Sequence, residues 1–195
     1  MISYIKSKNT TYFILFVFCF CTTIIHAEES NLRRLANKMV PNQAKNIVFE
    51  EVINETDFFE LETKGKKLII RGNNGVSMAR GLNHYMRYYL HNTTSWTGHN
   101  LSHASSLPVI KEKIHVNATL PLRYYLNYCT YSYSMAFWDW TQWEDEIDRM
   151  AMQGINMPLV AVIGQYAVWQ NTLRRLGYSE KEIIDFLPGA GYEAW

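Results

Sequence analysis

The sequence predicts an α/β fold class in two parts. The first is a small N-terminal α/β sandwich domain over residues 28–116. The second, over residues 117–195, is the opening of a parallel α/β barrel. Three observations carry this. An amphipathic helix, three strand-like runs and a second helix follow one another before residue 91. The composition changes at Leu120, where branched and aromatic residues begin to dominate. From there the order is apolar run, loop, amphipathic helix, apolar run, helix, which is the repeat of a parallel α/β layer.

Residues 32–40 place Leu32, Leu35, Ala36 and Met39 at i, i+3, i+4 and i+7, one face of a helix. Asn46–Ile53, Phe58–Thr63 and Lys67–Arg71 then read as strands, and Lys64-Gly65-Lys66 is a short hairpin connection between the last two. Asn73-Asn74-Gly75 breaks the chain. Val76–Leu90 follows as a helix with Val76, Ala79, Leu82 or Asn83, Met86 and Tyr89 along one face. This first part holds no cluster of acid, base and nucleophile.

Pro121–Cys129 is a run of branched and aromatic residues that reads as a buried strand, followed by a long loop over residues 130–140. Thr141 is placed to cap the next helix. Trp143, Ile147, Met150 and Ala151 line one face, Glu144, Asp145, Asp148 and Arg149 take the rest of its surface, and Gly154 ends it. Ile155–Ile163 is the second buried strand. A helix over Gln165–Leu176 turns Trp169, Leu173 and Leu176 to one side, Gly177 stops it, and Ser179-Glu180-Lys181-Glu182 is a capping box for a last short helix. A closed (β/α)8 TIM barrel needs eight such strands and roughly 250 residues, so two βα units form about a quarter of one. The expectation is a truncated barrel, cut near Trp195.

The first 27 residues have the layout of a secretory signal: Lys6 and Lys8, an apolar stretch from Tyr12 to Ile25, and Ala27 as a small residue for cleavage. An uncleaved N-terminal anchor is the alternative. Cleavage would remove Cys19 and Cys21 and leave Cys129 alone, so no internal disulfide is expected in an oxidising compartment. It would also remove two of the 19 basic residues, leaving one more acid than base. With a formal charge of +1 and no basic run, the chain is expected to bind no nucleic acid and to keep no stable membrane insertion once the signal is gone. The export expected is periplasmic or extracellular in a bacterium, towards which the Lys/Asn/Ile-rich leader leans, or lysosomal in a eukaryote. Beyond the leader, four sequons, at Asn54, Asn92, Asn100 and Asn117, would carry glycans only in a eukaryotic secretory pathway.

Aromatic residues make up 14% of the chain, and Trp138, Trp140, Trp143, Trp169 and Trp195 all fall in the last third. Sugar sites stack on such faces, but packing is the commoner use of a tryptophan. Glu144, Glu146 and Asp148 on the predicted helix read as a solvated face. Asp139 is placed either to approach a sugar hydroxyl or to cap the helix. His84, His91, His99, His103 and His115 lack metal-ligand spacing, and neither a metal nor another cofactor is expected.

The run Arg123–Asp139, Arg-Tyr-Tyr-Leu-Asn-Tyr-Cys-Thr-Tyr-Ser-Tyr-Ser-Met-Ala-Phe-Trp-Asp, resembles the alpha-N-acetylglucosaminidases of glycoside hydrolase family 89. The resemblance continues through Trp140, Trp143–Asp148, Met150-Ala151, Gly154-Ile155-Asn156, Gly164-Gln165, Ala167–Gln170, Phe186, Gly189 and Ala194-Trp195. Arg71-Gly72 and Ala79-Arg80-Gly81-Leu82 resemble the family's small N-terminal domain more loosely. What the resemblance implies is an exo-acting, retaining glycosidase acting on glycans that end in alpha-linked N-acetylglucosamine, with two catalytic glutamates on later barrel strands. No catalytic residue would then lie in this chain, which would be inactive alone. A non-catalytic carbohydrate- or partner-binding protein left by truncation is the competing reading.

The resemblance also implies a sugar pocket lined by Asn127, Cys129 and Trp195. Asn127 and Cys129, two apart at the end of the first predicted strand, are expected to face the same way. A small buried hydrophobe is the plainer reading of Cys129. Around Trp195 the sequence departs from the family pattern, with Ala190-Gly191 and Tyr192-Glu193 in place of the commoner Pro-Ala and Phe-Leu. Gln165 is a further pocket candidate, with helix capping an equal explanation.

Overall fold

In a computed structural model, the structure describes residues 31–127, 129–130, 134–135, 137–159 and 165–187. The architecture is mixed α/β, and it divides after Ala118 into two units that are taken separately below. The signal-like leader lies outside the described residues.

In the first unit, helix α1 (31–39) buries Leu32, Leu35, Ala36 and Met39, the four residues of the apolar stripe. Strands β1 (Ile47–Glu51), β2 (Phe58–Lys64), β3 (Lys67–Gly72) and a later strand, β6, form one sheet in the order β1-β3-β2-β6. β1 runs parallel to β3, pairing Ile47 with Leu68. β2 and β3 are an antiparallel hairpin closed at Lys64 and Lys67, with Gly65 at φ 60°, a left-handed value that glycine adopts freely. Arg33 fastens α1 to the start of β1 by donating from Nη1 to Ala44 O (2.7 Å) and Ile47 O (2.9 Å).

Helix α2 (Gly75–Tyr89) lies on the sheet. Asn74 is its N-cap, with Oδ1 accepting from Ser77 N at 2.9 Å, and Asp57 Oδ1 in turn accepts from the amides of Asn73 (3.0 Å) and Asn74 (2.8 Å). The close fit depends on two glycines. A Cβ at Gly81 would stand 3.0 Å from Ile70 Cγ2, and one at Gly72 would stand 3.0 Å from Phe58 O, Ser77 Cβ and Met78 Cγ. Leu61, Ile70, Leu82, Tyr85 and Met86 are consequently fully buried. Arg71 on β3 reaches Glu50 on β1 (2.6 Å) and Glu62 on β2 (2.9 Å), while Glu60 pairs with Lys113 (2.7 Å) and His115 (3.1 Å). Burial opposes the charge on Glu60, yet the Lys113 and His115 hydrogen bonds outweigh it and hold the carboxyl below the usual range.

Three short strands were not foreseen. β4 (Thr93–Ser95) and β5 (Gly98–Asn100) make a polar hairpin without apolar alternation, and β6 (Ile114–Asn117) pairs with β2 from Phe58↔Asn117 to Leu61↔Ile114. Of the four sequon asparagines, Asn92 is 1% exposed and Asn54, Asn100 and Asn117 are exposed.

In the second unit, β7 (Tyr124–Tyr125) and β8 (Met157–Pro158) pair in parallel, with helix α3 (Trp140–Gln153) between them in the chain. Both strands are far shorter than the apolar runs suggested, although residues 160–163 of the second run lie outside the described residues. Arg123 and Asn156 bind the two strand entries together. Arg123 N donates to Asn156 Oδ1 (2.8 Å), Asn156 Nδ2 donates to Pro121 O (2.8 Å), and Arg123 Nε donates to Gly154 O. Gly154 ends α3 at φ 80°. Asp139, rather than Thr141, caps the helix in a complete capping box with Gln142.

The charged face of α3 differs from the expectation. Met150 is buried with Leu126 and Met135, and Tyr125, Trp138, Trp143, Ile155 and Leu159 pack around them. Ile147, on the expected apolar face, is exposed, whereas Glu146 and Asp148, expected on a solvated face, are 3% and 4% exposed. The reason at Glu146 is Arg149, whose Nε and Nη2 grip both carboxylate oxygens while Nη2 donates to Tyr125 Oη (2.9 Å). The guanidinium also lies 5.3 Å from the Tyr125 ring centre, so a neutralised ion pair fills the place of an apolar side chain. Helix α4 (Gln165–Arg175) and helix α5 (Glu180–Phe186) complete the unit. Ser179 and Glu182 form the expected capping box, and Trp169 and Leu176, expected on one side of the preceding helix, are exposed.

Candidate functional site

The segment that follows β7 decides the geometry of the candidate site. Tyr125 is the last strand residue, and Leu126 turns the chain with φ 73°, a left-handed value rare for a branched side chain. Leu126 is 7% exposed and clamped against Met135 and Met150, so burial of its side chain holds the backbone there. Asn127 therefore does not extend the strand. Its Oδ1 accepts from Thr130 N (3.1 Å) and Thr130 Oγ1 (3.0 Å), capping the helical turn that contains Cys129 and Thr130.

This corrects the expectation that Asn127 and Cys129 face one way by strand alternation, since the alternation ends two residues before Asn127. Asn127 is exposed, and Cys129 is a partly buried free thiol. Trp195 and the side chain of Gln165 lie outside the described residues. Thr130 was missed, although the spacing Asn127–Thr130 is that of a cap and its N3 partner.

Two acids of this unit are occupied by structure. Asp139 Oδ1 accepts from Thr141 N at 2.8 Å as the helix cap, and Glu146 is held by Arg149. Among the described residues, no three of His, Cys, Asp and Glu converge as a metal cage, and no helix is long and apolar enough to cross a membrane. His84, on α2 in the first unit, stands against Phe59 and Tyr88. Burial, and to a lesser extent the neighbouring Arg80 cation, push its imidazole below the ordinary value.

Two family descriptions match this chain. Residues 30–109 match the "Alpha-N-acetylglucosaminidase (NAGLU) N-terminal domain" and residues 123–195 match the "Alpha-N-acetylglucosaminidase (NAGLU) tim-barrel domain". The chain belongs to the alpha-N-acetylglucosaminidase family. It is 40% identical to human alpha-N-acetylglucosaminidase over 126 residues, which is 65% of this chain and 17% of that protein. Among solved structures it resembles a family 89 glycoside hydrolase from Clostridium perfringens in complex with PUGNAc, with a TM-score of 0.82 and 34% identity, covering 90% of this chain and 20% of that one. A variant of the clostridial enzyme with two glutamates changed to glutamine, in complex with its substrate GlcNAc-alpha-1,4-galactose, gives a TM-score of 0.80 at 33% identity, with 90% and 20% covered. The chain thus spans about a fifth or less of the length of these relatives.

Within this family match, Arg123, Gly154 and Asn156 acquire a physical role as the knot that sets β7 beside β8. Arg71-Gly72 and Gly81 do the same for the N-terminal domain, through the cross-sheet ion pairs and the close approach of α2.

Proposed function

We propose that the protein carrying this chain is an exported, exo-acting, retaining glycoside hydrolase that removes terminal alpha-linked N-acetylglucosamine from glycans. The observation that carries this reading is the match of residues 123–195 to the family's barrel domain, joined to the likeness with a clostridial enzyme whose substrate is GlcNAc-alpha-1,4-galactose. On this reading the second unit is the first quarter of a (β/α)8 barrel, in which the chain just after each strand faces the substrate. Asn127, Cys129 and Trp195 then line the sugar pocket.

Retention requires two carboxyls roughly 5–5.5 Å apart, one attacking the anomeric carbon and one protonating the leaving oxygen. Asp139 is committed to its helix cap and Glu146 to its arginine, so neither suits that work. The part of the family enzyme represented here accordingly supplies pocket wall and not the reacting pair, and residues 28–195 by themselves turn nothing over.

One experiment joins these claims. Residues 28–195 are assayed on an aryl alpha-N-acetylglucosaminide, and Cys129 alkylation is followed with and without N-acetylglucosamine in the polypeptide that also carries the catalytic glutamates. No turnover by residues 28–195 is expected, together with slower alkylation when the sugar is bound. Cys129→Trp is expected to block the sugar while leaving Tm nearly unchanged. Turnover that survives stringent purification overturns the division of labour. Absent protection, with unfolding of Cys129→Trp, makes Cys129 a packing residue and removes it from the pocket.

A further inference from the structure

We propose that Asn127 meets its ligand only as a hydrogen-bond donor, through Nδ2, and that Thr130 is the positioning residue that enforces this. The inference rests on the reading of Asn127 as part of a sugar pocket. An amide oxygen has two lone pairs. Here the Thr130 backbone N–H takes one at 3.1 Å and the Thr130 hydroxyl takes the other at 3.0 Å. A backbone N–H can only donate, so the atom facing it must be oxygen. Rotating the amide would set two donors against each other and leave the turn uncapped.

The acceptor half of Asn127 is therefore spent inside the protein. Its two Nδ2 hydrogens have no partner among the described residues, and the side chain is exposed. Leu126 makes this arrangement possible. Its left-handed backbone lifts Asn127 out of strand alternation and delivers it as a cap, and its buried side chain holds the turn. A ligand read this way must present an oxygen acceptor, such as a neutral sugar hydroxyl or an acetamido carbonyl. A cationic or donor-only group finds no acceptor on Asn127.

Asn127→Asp separates this proposal from a merely structural role. A carboxylate keeps both acceptor bonds and caps a helical turn as well as an amide, but it cannot donate. The test uses the 15N-labelled polypeptide that also carries the catalytic glutamates, with free N-acetylglucosamine as the probe, followed by two-dimensional NMR, together with thermal melts and amide exchange. In the absence of sugar, Thr130 N–H is expected to be protected in the wild-type chain and in Asn127→Asp, and unprotected in Asn127→Ala. On titration, the Asn127 Nδ2 resonances of the wild-type chain should move. Asn127→Asp should keep its Tm and lose roughly tenfold or more in affinity. Thr130→Ser, which keeps the hydroxyl, should behave as wild type, and Thr130→Val should bind more weakly. The proposal is overturned if Asn127→Asp binds as tightly as wild type, or if Thr130 protection is unchanged in Asn127→Ala. A protected Thr130 with no sugar response in the wild-type chain leaves the cap standing but removes the pocket, and the donor assignment goes with it.

Discussion

The two units treat charge and apolar surface in opposite ways. In the first, α2 buries Leu61, Ile70, Leu82 and Met86 completely, while the carboxylates paired across the sheet are Glu50, Glu60 and Glu62, the first of them 45% exposed. In the second, Glu146 and Asp148 are buried while Ile147, Trp169, Leu176, Ile184 and Phe186 are exposed. The first unit has a four-stranded sheet on which a helix lies, so binary patterning and burial agree. The second has a two-residue strand pair and helices whose apolar faces find too little surface to cover them. The rule that apolar residues face inward is a rule about completed layers.

The sharpest way to break this comparison is to separate the units. Residues 28–118 retain β6 and the Ala118 N–H bond to Asp57 O, and are expected to melt cooperatively. Residues 120–195, with an open strand edge and exposed tryptophan and leucine, are expected to be aggregation-prone or molten. Far- and near-ultraviolet circular dichroism during heating reads the difference. A sharp melt with native near-ultraviolet signal from residues 120–195 would erase the distinction.

A smaller effect separates two arginines whose own side chains are almost equally covered, Arg149 at 14% exposed and Arg71 at 13%. Their carboxylates differ. Glu146 is 2% exposed, whereas the Glu50 and Glu62 partners of Arg71 are 45% and 30% exposed. Arg149→Met keeps the aliphatic stem but strands a buried charge, an effect of about 3–5 kcal/mol. Arg71→Met leaves carboxylates that water can reach, and about 1 kcal/mol or less is expected. Denaturant titration of the polypeptide that also carries the rest of the family enzyme compares the two variants with the wild type. Equal losses would mean that exposure of the carboxylate does not govern the outcome.

The same contrast explains what was legible in the sequence. The Lys64-Gly65-Lys66 hairpin, the helix after Asn73-Asn74 and the Ser179 capping box rest on local chemistry, and all three stand within a residue or two of their expected limits. β4 and β5 carry no apolar residue, and the alternation in β6 spans only four residues, so all three owe their existence to a partner strand, which a local pattern does not reveal. Asp139 outcompeted Thr141 as cap because its carboxylate completes a reciprocal pair with Gln142, a distinction of one turn position. The burial of Glu146 could not be read from periodicity, because it depends on Arg149 reaching Tyr125 on another element. At the candidate site, Asn127 and Cys129 were named from family resemblance. The strand alternation assumed for them does not apply, because β7 ends at Tyr125 and Leu126 is left-handed.

The smallest expected effect is the pH dependence of the first unit. In Glu62 the hydrogen bond from Arg71 is the leading cause holding the carboxyl low, helped by Lys64 and opposed by burial. In Glu60 burial opposes ionisation, but Lys113 and His115 prevail. Both folded-state values therefore lie below those of the unfolded chain. Their contribution is fully present above the ordinary carboxylate range and is lost as pH falls through the folded values, because the unfolded chain then binds the extra protons more readily. The Tm of residues 28–118 should begin to fall as pH drops below the ordinary imidazole value, because unfolding lets the buried His84 take up a proton, and should fall further through the carboxylate range. Arg71→Met should remove the part owed to Glu62 and keep most of the part owed to Glu60, which is hydrogen-bonded by Lys113 and His115 and has Arg71 Nη1 only at 3.7 Å. A Tm that stays flat through the carboxylate range would show these pairs to be energetically silent. A decline identical in wild type and Arg71→Met would place the whole effect on Glu60, with the Arg71 bridge as geometry without linkage.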